Sequence, residues 1–229
     1  MNIFNHVRSI KFLRVASPVF ALALLAALPA TPQGKGKAGG GDNDPDRVIT
    51  GGGLPAGWAA RPDRGTADQE KVTEAGGVIH FVMGPAATFY NSTWTKTGDY
   101  KYSARVTQVK PPSHPTSYGI MVGGKDLAAA TQTYTYFLVR GAGEYFISNR
   151  EGATTATQVN WTAHPAVVKQ GADGKQANLL GVEVKGADAI FTVNGTEVKR
   201  LPKASLHVDG IVGIRIGHNF DVDVDQITR

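Results

Sequence analysis

Carboxylate side chains alternate near the end of the chain, where valines separate Asp221, Asp223 and Asp225. Residues two apart in a β-strand point to the same side of a sheet, so a strand here would place these carboxylates in one row. Such a row could bind a cation or sugar hydroxyl groups, or supply an acid and a base for hydrolysis. The favoured alternative is an acidic solvent face that is neutralised by Arg215 or by other basic neighbours.

A second chemically rich set flanks Gly141-Ala142-Gly143, between the β-rich segments 133–140 and 144–150. A three-residue turn between two such segments predicts a hairpin and fixes which residues face one another. The predicted pairs are Arg140 with Glu144, Leu138 with Phe146, Tyr136 with Ser148, and Tyr134 with Arg150. The opposite face of the hairpin is apolar and is expected in the core; it carries Thr135, Phe137, Val139, Tyr145 and Ile147.

The polar face of this hairpin predicts a ligand site. Its candidate residues are Tyr134, Tyr136, Arg140, Glu144, Ser148 and Arg150, with Trp161 from a loop-like segment as a wall. Aromatic rings offer flat apolar surface to a sugar ring, and the polar side chains offer hydrogen bonds to hydroxyl groups. Arginine also binds carboxylates with two hydrogen bonds, so an acidic glycan is included. The alternative is an ordinary strand surface, with a weak cross-strand ion pair between Arg140 and Glu144.

The rest of the chain predicts an all-β protein. Roughly ten short segments rich in β-branched and aromatic residues follow one another from Gly77 onward, separated by glycine-rich turns, which is typical of two packed antiparallel sheets. Asn194-Gly195 predicts a second hairpin, because both central positions of its turn need a positive φ. That hairpin would pair Val193 with Thr196 and Phe191 with Val198.

Composition excludes several classes of protein. The 229 residues include no cysteine, which excludes a disulfide scaffold, a cysteine zinc site and a cysteine nucleophile. The formal net charge of +5 suggests a polyanion, yet Arg8, Lys11 and Arg14 precede an apolar run that predicts a signal peptide over residues 1–30. Its removal leaves 24 − 3 = 21 basic against 19 acidic residues, a charge of +2. The remaining basic residues are dispersed, so we expect no nucleic-acid partner.

The same segment sets the expected location and domain organisation. We expect a secreted or periplasmic protein with no membrane contact after cleavage, the alternative being an uncleaved N-terminal anchor. Residues 31–57 are rich in glycine, proline and polar residues and predict a flexible linker. The folded domain is then expected over residues 58–229.

The order of the segments resembles a known superfamily. GWAARPD, GVIHFVM, GDYKYSARV, YGIMVGG and YTYFLVRGAGEYFISNREG are followed by NLLGVEVKGADAIFTVNGTEV and GIVGIRIGHNFDVDVDQITR. Together they resemble the concanavalin A-like lectin/glucanase superfamily, particularly its bacterial 3-keto-disaccharide hydrolase or family-16-like domains. The resemblance implies a jelly-roll sandwich of two antiparallel sheets whose concave face often meets carbohydrate.

The chain departs from the catalytic pattern of that superfamily. The family-16 glucanases carry an E-x-D-x-E or E-x-D-x-x-E strand, and no such motif occurs here. The sequence therefore predicts a carbohydrate-binding or structural module, without a cofactor but with a loop calcium ion as an alternative. Two other functions stay open. One is a glycoside hydrolase acting on 3-keto-disaccharides or related glycans through Glu144, Asp223 or Asp225, and the other is an adhesion module whose protein partner the sequence does not identify.

Overall fold

The structure is a computed structural model that describes residues 44–229. The predicted signal peptide over residues 1–30 and the first part of the predicted linker lie outside the described residues. No helix within residues 44–229 is long and apolar enough to cross a membrane.

The described chain forms fourteen strands, β1 to β14, in two antiparallel sheets of seven strands each. In spatial order, sheet I contains β1 (Trp58–Pro62), β4 (Ala87–Lys96), β13 (Gly210–Ile216), β6 (Ser117–Lys125), β7 (Thr133–Arg140), β8 (Glu144–Glu151) and β9 (Thr154–Ala163). Sheet II contains β12 (Thr196–Pro202), β11 (Asp188–Val193), β10 (Gln176–Lys185), β5 (Tyr100–Gln108), β14 (Asp221–Thr228), β3 (Val78–Met83) and β2 (Glu70–Ala75). Short 3₁₀ turns cover Ala67–Gln69 and Lys203–Ser205. The predicted all-β, two-sheet jelly-roll sandwich is confirmed.

Alternation along the strands builds one core between the sheets. In β7, Phe137 and Val139 are almost fully buried in this core, whereas their sequence neighbours point the other way. Aromatic pairs join the two layers: the ring of Phe137 in sheet I lies 5.3 Å from that of Phe191 in sheet II. Phe89 and Phe81 make a similar pair at 4.8 Å. The core faces of both sheets are therefore settled, and each sheet has one outer face left for solvent or ligand.

The Asn194-Gly195 hairpin forms as predicted at its turn and differs by one residue further along. Val193 pairs with Thr196, and the turn residues have φ of +51° and +81°. Phe191, however, pairs with Lys199 and not with Val198, because a bulge follows it in the ladder. A bulge opposes two residues to one and shifts every later pair, which the turn sequence alone does not encode.

We expect Gly195→Ala to lower the free energy of unfolding by about 1–2 kcal/mol, because a positive φ is strained for alanine and unstrained for glycine. The space around a Cβ at this position is open, so the cost is one of backbone conformation only. Gly195→Asn should cost less, since asparagine tolerates this region. Urea unfolding of both variants measures the difference. Equal losses for alanine and asparagine would contradict the assigned turn.

The sequence missed four strands, of which β1, β2 and β9 are sheet edges and β4 lies next to β1. Strands β1, β2, β4 and β9 were not predicted, and β9 includes the segment around Trp161 that we interpreted as a loop. These strands are polar or of mixed pattern: β9 reads TTATQVNWTA and is largely exposed. An edge strand with one pairing partner and little buried surface lacks the apolar alternation from which strands are recognised.

Residues 44–57, which composition assigns to the flexible linker, pack on the sandwich. The Arg47 guanidinium donates to the carbonyl oxygens of Met83, at 2.8 Å, and Phe220, at 3.1 Å, and forms an ion pair of 2.5 Å with Asp221. Gly53 adds a short parallel bridge to Lys71. The Arg47 fork is thus one of several ordering interactions that the composition of this segment does not suggest.

Candidate functional site

The β7–β8 hairpin has the predicted register at every position that bears on the site. Arg140 pairs with Glu144 and Tyr136 pairs with Ser148, as expected from a three-residue turn. The other two predicted pairs, Leu138 with Phe146 and Tyr134 with Arg150, are also present. The polar and aromatic residues of the two strands therefore share the outer face of sheet I.

This outer face is concave. The Thr88 hydroxyl on β4 donates a hydrogen bond of 3.3 Å to the Tyr134 hydroxyl on β7, although β13 and β6 lie between these strands. In a flat sheet, three strand spacings would separate the two backbones by about 14 Å, which is more than the two side chains can bridge. The sheet must curve towards this side. We call it the concave face and define it by Thr88, Arg215, Tyr136 and their cross-strand neighbours.

Two of the predicted ligand residues form the floor of the concave face. Tyr134 is 2% exposed and Ser148 is fully buried. Tyr134 packs in a small cluster with Tyr90, Met121 and with Leu127, which belongs to the loop after β6. These residues support a site and are not accessible to a ligand themselves.

An aromatic row crosses three neighbouring strands above this floor. It consists of Tyr136 on β7, Phe146 on β8 and Trp161 on β9, each partly exposed. Ring centroids are 6.0 Å apart between Tyr136 and Phe146, and 5.0 Å apart between Phe146 and Trp161. Burial raises the pKa of Tyr136, so its hydroxyl stays protonated and able to donate. Phe146 belongs to this row but was predicted only as the partner of Leu138.

Arg140 and Glu144 neutralise each other at the end of the row. The Arg140 Nε lies 2.5 Å from a Glu144 carboxylate oxygen, and the guanidinium stacks 4.4 Å from the centre of the Trp161 ring. Arg140 therefore orients the tryptophan through a cation–π contact while it holds Glu144. The Glu144 carboxylate is engaged, in line with the alternative interpretation of this pair as a cross-strand ion pair.

The aspartates of β14 lie on the opposite side of the molecule from the aromatic row. Val222 and Val224 enter the core, so the aspartates between them point to the outer face of sheet II. Each carboxylate there has a basic partner: Asp221 contacts Arg47 and Lys110, Asp223 lies 2.7 Å from His80, and Asp225 lies 2.5 Å from Arg105. This is the acidic face with basic neighbours that we favoured.

Neither Arg215 nor Glu144 lies beside these aspartates, since both belong to the other sheet. Arg215, named as a partner for these aspartates, lies in sheet I and contacts Asp63 instead. Glu144 and the pair Asp223 and Asp225 stand on different sheets with the core between them. The structure thus does not bring the proposed catalytic carboxylates together, and a hydrolytic pair requires both carboxyl groups beside one glycosidic bond.

Sequence reasoning missed Arg61 and Asp63 on the concave face, and it expected Arg215 beside the aspartates of β14. Across the sheet, Arg61 on β1 pairs with Thr88 on β4, and Thr88 pairs with Arg215 on β13, so both arginines point to the concave face. Asp63 joins them there through its ion pair with Arg215. The alternation Val212, Ile214, Ile216 already placed Arg215 away from the core. Nothing in the sequence showed that β13 lies between β4 and β6, which is what brings Arg215 to the site.

The described part of the chain offers no cluster suited to a metal ion: no group of three or more His, Asp or Glu side chains in residues 44–229 is placed to hold one. The predicted loop calcium therefore has no residues assigned to it and stays a prediction.

Comparisons with known proteins show the fold. No family model matches the chain. No curated protein matches it in sequence.

Among solved structures, the carbohydrate binding module CBM66 from Bacillus subtilis superposes with a TM-score of 0.57 at 12% identity, over 75% of this chain and 94% of that one. A prokaryotic beta-1,3-1,4-glucanase (lichenase) derived from a mouse hindgut metagenome follows with a TM-score of 0.49 at 8% identity, over 75% and 92%. Sheep galectin-11 gives 0.40 at 14% identity, over 57% and 92%. The likeness to the carbohydrate binding module shows the fold alone: the chain is a concanavalin A-like jelly-roll sandwich.

Proposed function

We propose that the protein is a secreted carbohydrate-binding module whose ligand lies on the concave face of sheet I. The observation that carries the proposal is the aromatic row of Tyr136, Phe146 and Trp161, which presents adjacent rings at 5.0–6.0 Å spacing on a curved surface. Sugar rings pack their C–H faces on such rings, and polar groups nearby bind their hydroxyl groups. The likeness of the fold to a carbohydrate binding module supports the proposal at the level of fold only.

Hydrolysis is not the function that the geometry favours. Glu144 is the one carboxylate that the described strands direct to the concave face, and Asp63 adds a second from the loop after β1. Both are ion-paired with arginine. A general acid needs a raised pKa, whereas the pKa of Asp63 is lowered.

We expect Tyr136→Ala and Trp161→Ala each to weaken glycan binding by about tenfold, since each removes one stacking surface. Affinity electrophoresis against immobilised neutral and charged polysaccharides measures this. Trp94→Ala is the matched control: Trp94 is also partly exposed and also carries an arginine over its ring, but it lies at the far end of β4 against Trp58.

Three outcomes are informative. Loss of binding in Tyr136→Ala and Trp161→Ala, with retention in Trp94→Ala, supports the proposal. Equal losses in all three variants would place the ligand elsewhere. Absence of binding to every polysaccharide by the folded parent protein would overturn the proposed function.

A further inference from the structure

Positive charge is in excess on the concave face. Arg61, Arg150 and Arg215 all lie close enough to Asp63 to act on its charge, and Arg150 and Arg215 also act on the Tyr136 hydroxyl. These arginines come from β1, β8 and β13, and the curvature of the sheet brings them together. Asp63 is the acidic group that balances them, because Glu144 is held by Arg140. The set thus carries two positive charges more than negative ones.

The hydrogen bonds of the three arginines leave capacity for a ligand. Arg215 is engaged by the Asp63 carboxylate and by the Thr88 hydroxyl, the latter at 3.4 Å. Arg61 donates from one terminal nitrogen to the carbonyl oxygen of Pro62, at 3.1 Å, and its buried Nε has no hydrogen-bond partner among the described residues. Arg150 donates its Nε to the carbonyl oxygen of Gly152, at 2.6 Å. The terminal N–H groups of Arg61 and Arg150 that make none of these bonds can donate to an anionic ligand.

The ionisation of Asp63 is favoured by the positive charge of the same three arginines. Burial acts to raise the pKa of this carboxyl, yet Arg215, and then Arg150 and Arg61, hold the pKa below its ordinary value. A second anion placed among the same arginines would be stabilised in the same way. Neutral sugars do not require this excess of positive charge, since uncharged donors can bind their hydroxyl groups.

Resting on the proposed carbohydrate-binding function, we propose that the ligand is an anionic glycan, whose carboxylate or sulfate groups bind Arg61 and Arg150 beside Arg215 while its rings stack on the aromatic row. Guanidinium groups match both anions with paired hydrogen bonds, so the shared chemistry is the planar or tetrahedral oxyanion.

The test uses matched pairs of polymers that differ in charge: polygalacturonate against its methyl ester, and dextran sulfate against dextran. The full chain should bind the charged member of at least one pair at least tenfold more tightly, and added NaCl should weaken that binding. The first pair reports a carboxylate ligand and the second a sulfate ligand.

Some variants should weaken binding of the charged polymer and one should strengthen it. This pattern distinguishes a specific site from non-specific electrostatic attraction. Arg61→Gln and Arg150→Gln should each weaken binding of the charged polymer by about tenfold. Asp63→Asn should strengthen it about threefold, because the competing carboxylate is neutralised. Arg200→Gln, an exposed arginine on β12 paired with Glu197 and Asp188, should change nothing. Circular dichroism of each variant checks that it is folded.

The failures are distinguishable. Equal binding of neutral and charged polymers that still depends on Trp161 would overturn this inference and leave the proposed function standing. Charged-polymer binding that Arg61→Gln and Arg150→Gln leave unchanged would also overturn it. No binding to any polymer would overturn both.

Discussion

Replacing Gly119 by alanine is expected to destabilise the protein by about 3 kcal/mol. A Cβ at this position would lie 2.0 Å from the carbonyl oxygen of Phe137 and 2.9 Å from the Cα of Leu138. Both are backbone atoms of the neighbouring strand β7, so no side-chain rotation relieves the contact. Strands β6 and β7 would have to separate.

The same substitution should also weaken glycan binding. In the ladder, Gly119 lies between Arg215 on β13 and Leu138 on β7. Separation of these strands would move Arg215 away from the aromatic row. Glycan binding is proposed to use both on one curved surface.

Gly53→Ala is the control for this prediction, because a Cβ there meets nothing within 4 Å and the φ of Gly53 is not positive. It should change the free energy of unfolding by less than about 0.5 kcal/mol. Urea unfolding followed by tryptophan fluorescence measures both variants. A cost for Gly119→Ala no greater than that for Gly53→Ala would contradict the close approach of β6 and β7.

The second large effect concerns Glu70, a fully buried carboxyl at the start of β2. Neither of its oxygen atoms has a hydrogen-bond partner among the described residues. Burial, with smaller contributions from Asp68 and Asp46, raises its pKa from 4.5 to about 7. The folded protein therefore holds a proton on Glu70 in a pH range where the unfolded chain has lost it.

The contribution of Glu70 to stability falls as the pH rises. Below pH 4.5 both states are protonated, so the ionisation of Glu70 makes no difference to stability there. Between pH 4.5 and about 7 only the folded state keeps the proton, so stability falls as the pH rises. Above that range the folded state carries a buried, unpaired charge and the full cost persists.

Glu70→Gln removes the charge and keeps the shape of the side chain. We expect it to raise the free energy of unfolding at pH 8 by about 2 kcal/mol relative to the parent, and to give no gain at pH 4. The difference between variant and parent cancels the titration of other groups, such as Asp221, whose pKa is lowered by Arg47 and Lys110. Urea unfolding at both pH values is the measurement.

Glu74→Gln provides the matched control on the same strand. Glu74 is exposed, so its substitution should change stability by less than about 0.5 kcal/mol at either pH. If Glu70→Gln gave the same difference from the parent at pH 4 and pH 8, Glu70 would not be the proton-binding group described here.

Local sequence determined a large part of the fold and half of the site. Alternation in β7 and β8, with a three-residue turn between them, set the pairing of Tyr136 with Ser148 and of Arg140 with Glu144. Such a hairpin depends on residues within twenty positions of each other, and the side-chain period of two leaves one register that buries Phe137. The same logic fixed the turn at Asn194-Gly195, until a bulge changed the register beyond it.

The tertiary structure alone decided that Arg150 and Arg215 meet Arg61 and Asp63. Arg150 and Arg215 are distant in sequence from Arg61 and Asp63, and the strand order β1-β4-β13-β6-β7-β8 places all four on one face. That order and the curvature of the sheet follow from packing across the whole sandwich, which no local pattern encodes. For the same reason the aspartates of β14, which the sequence offers as catalytic candidates, lie on the outer face of sheet II. The core separates them from the concave face. Short-range periodicity specifies a face, whereas long-range pairing specifies which faces form a site.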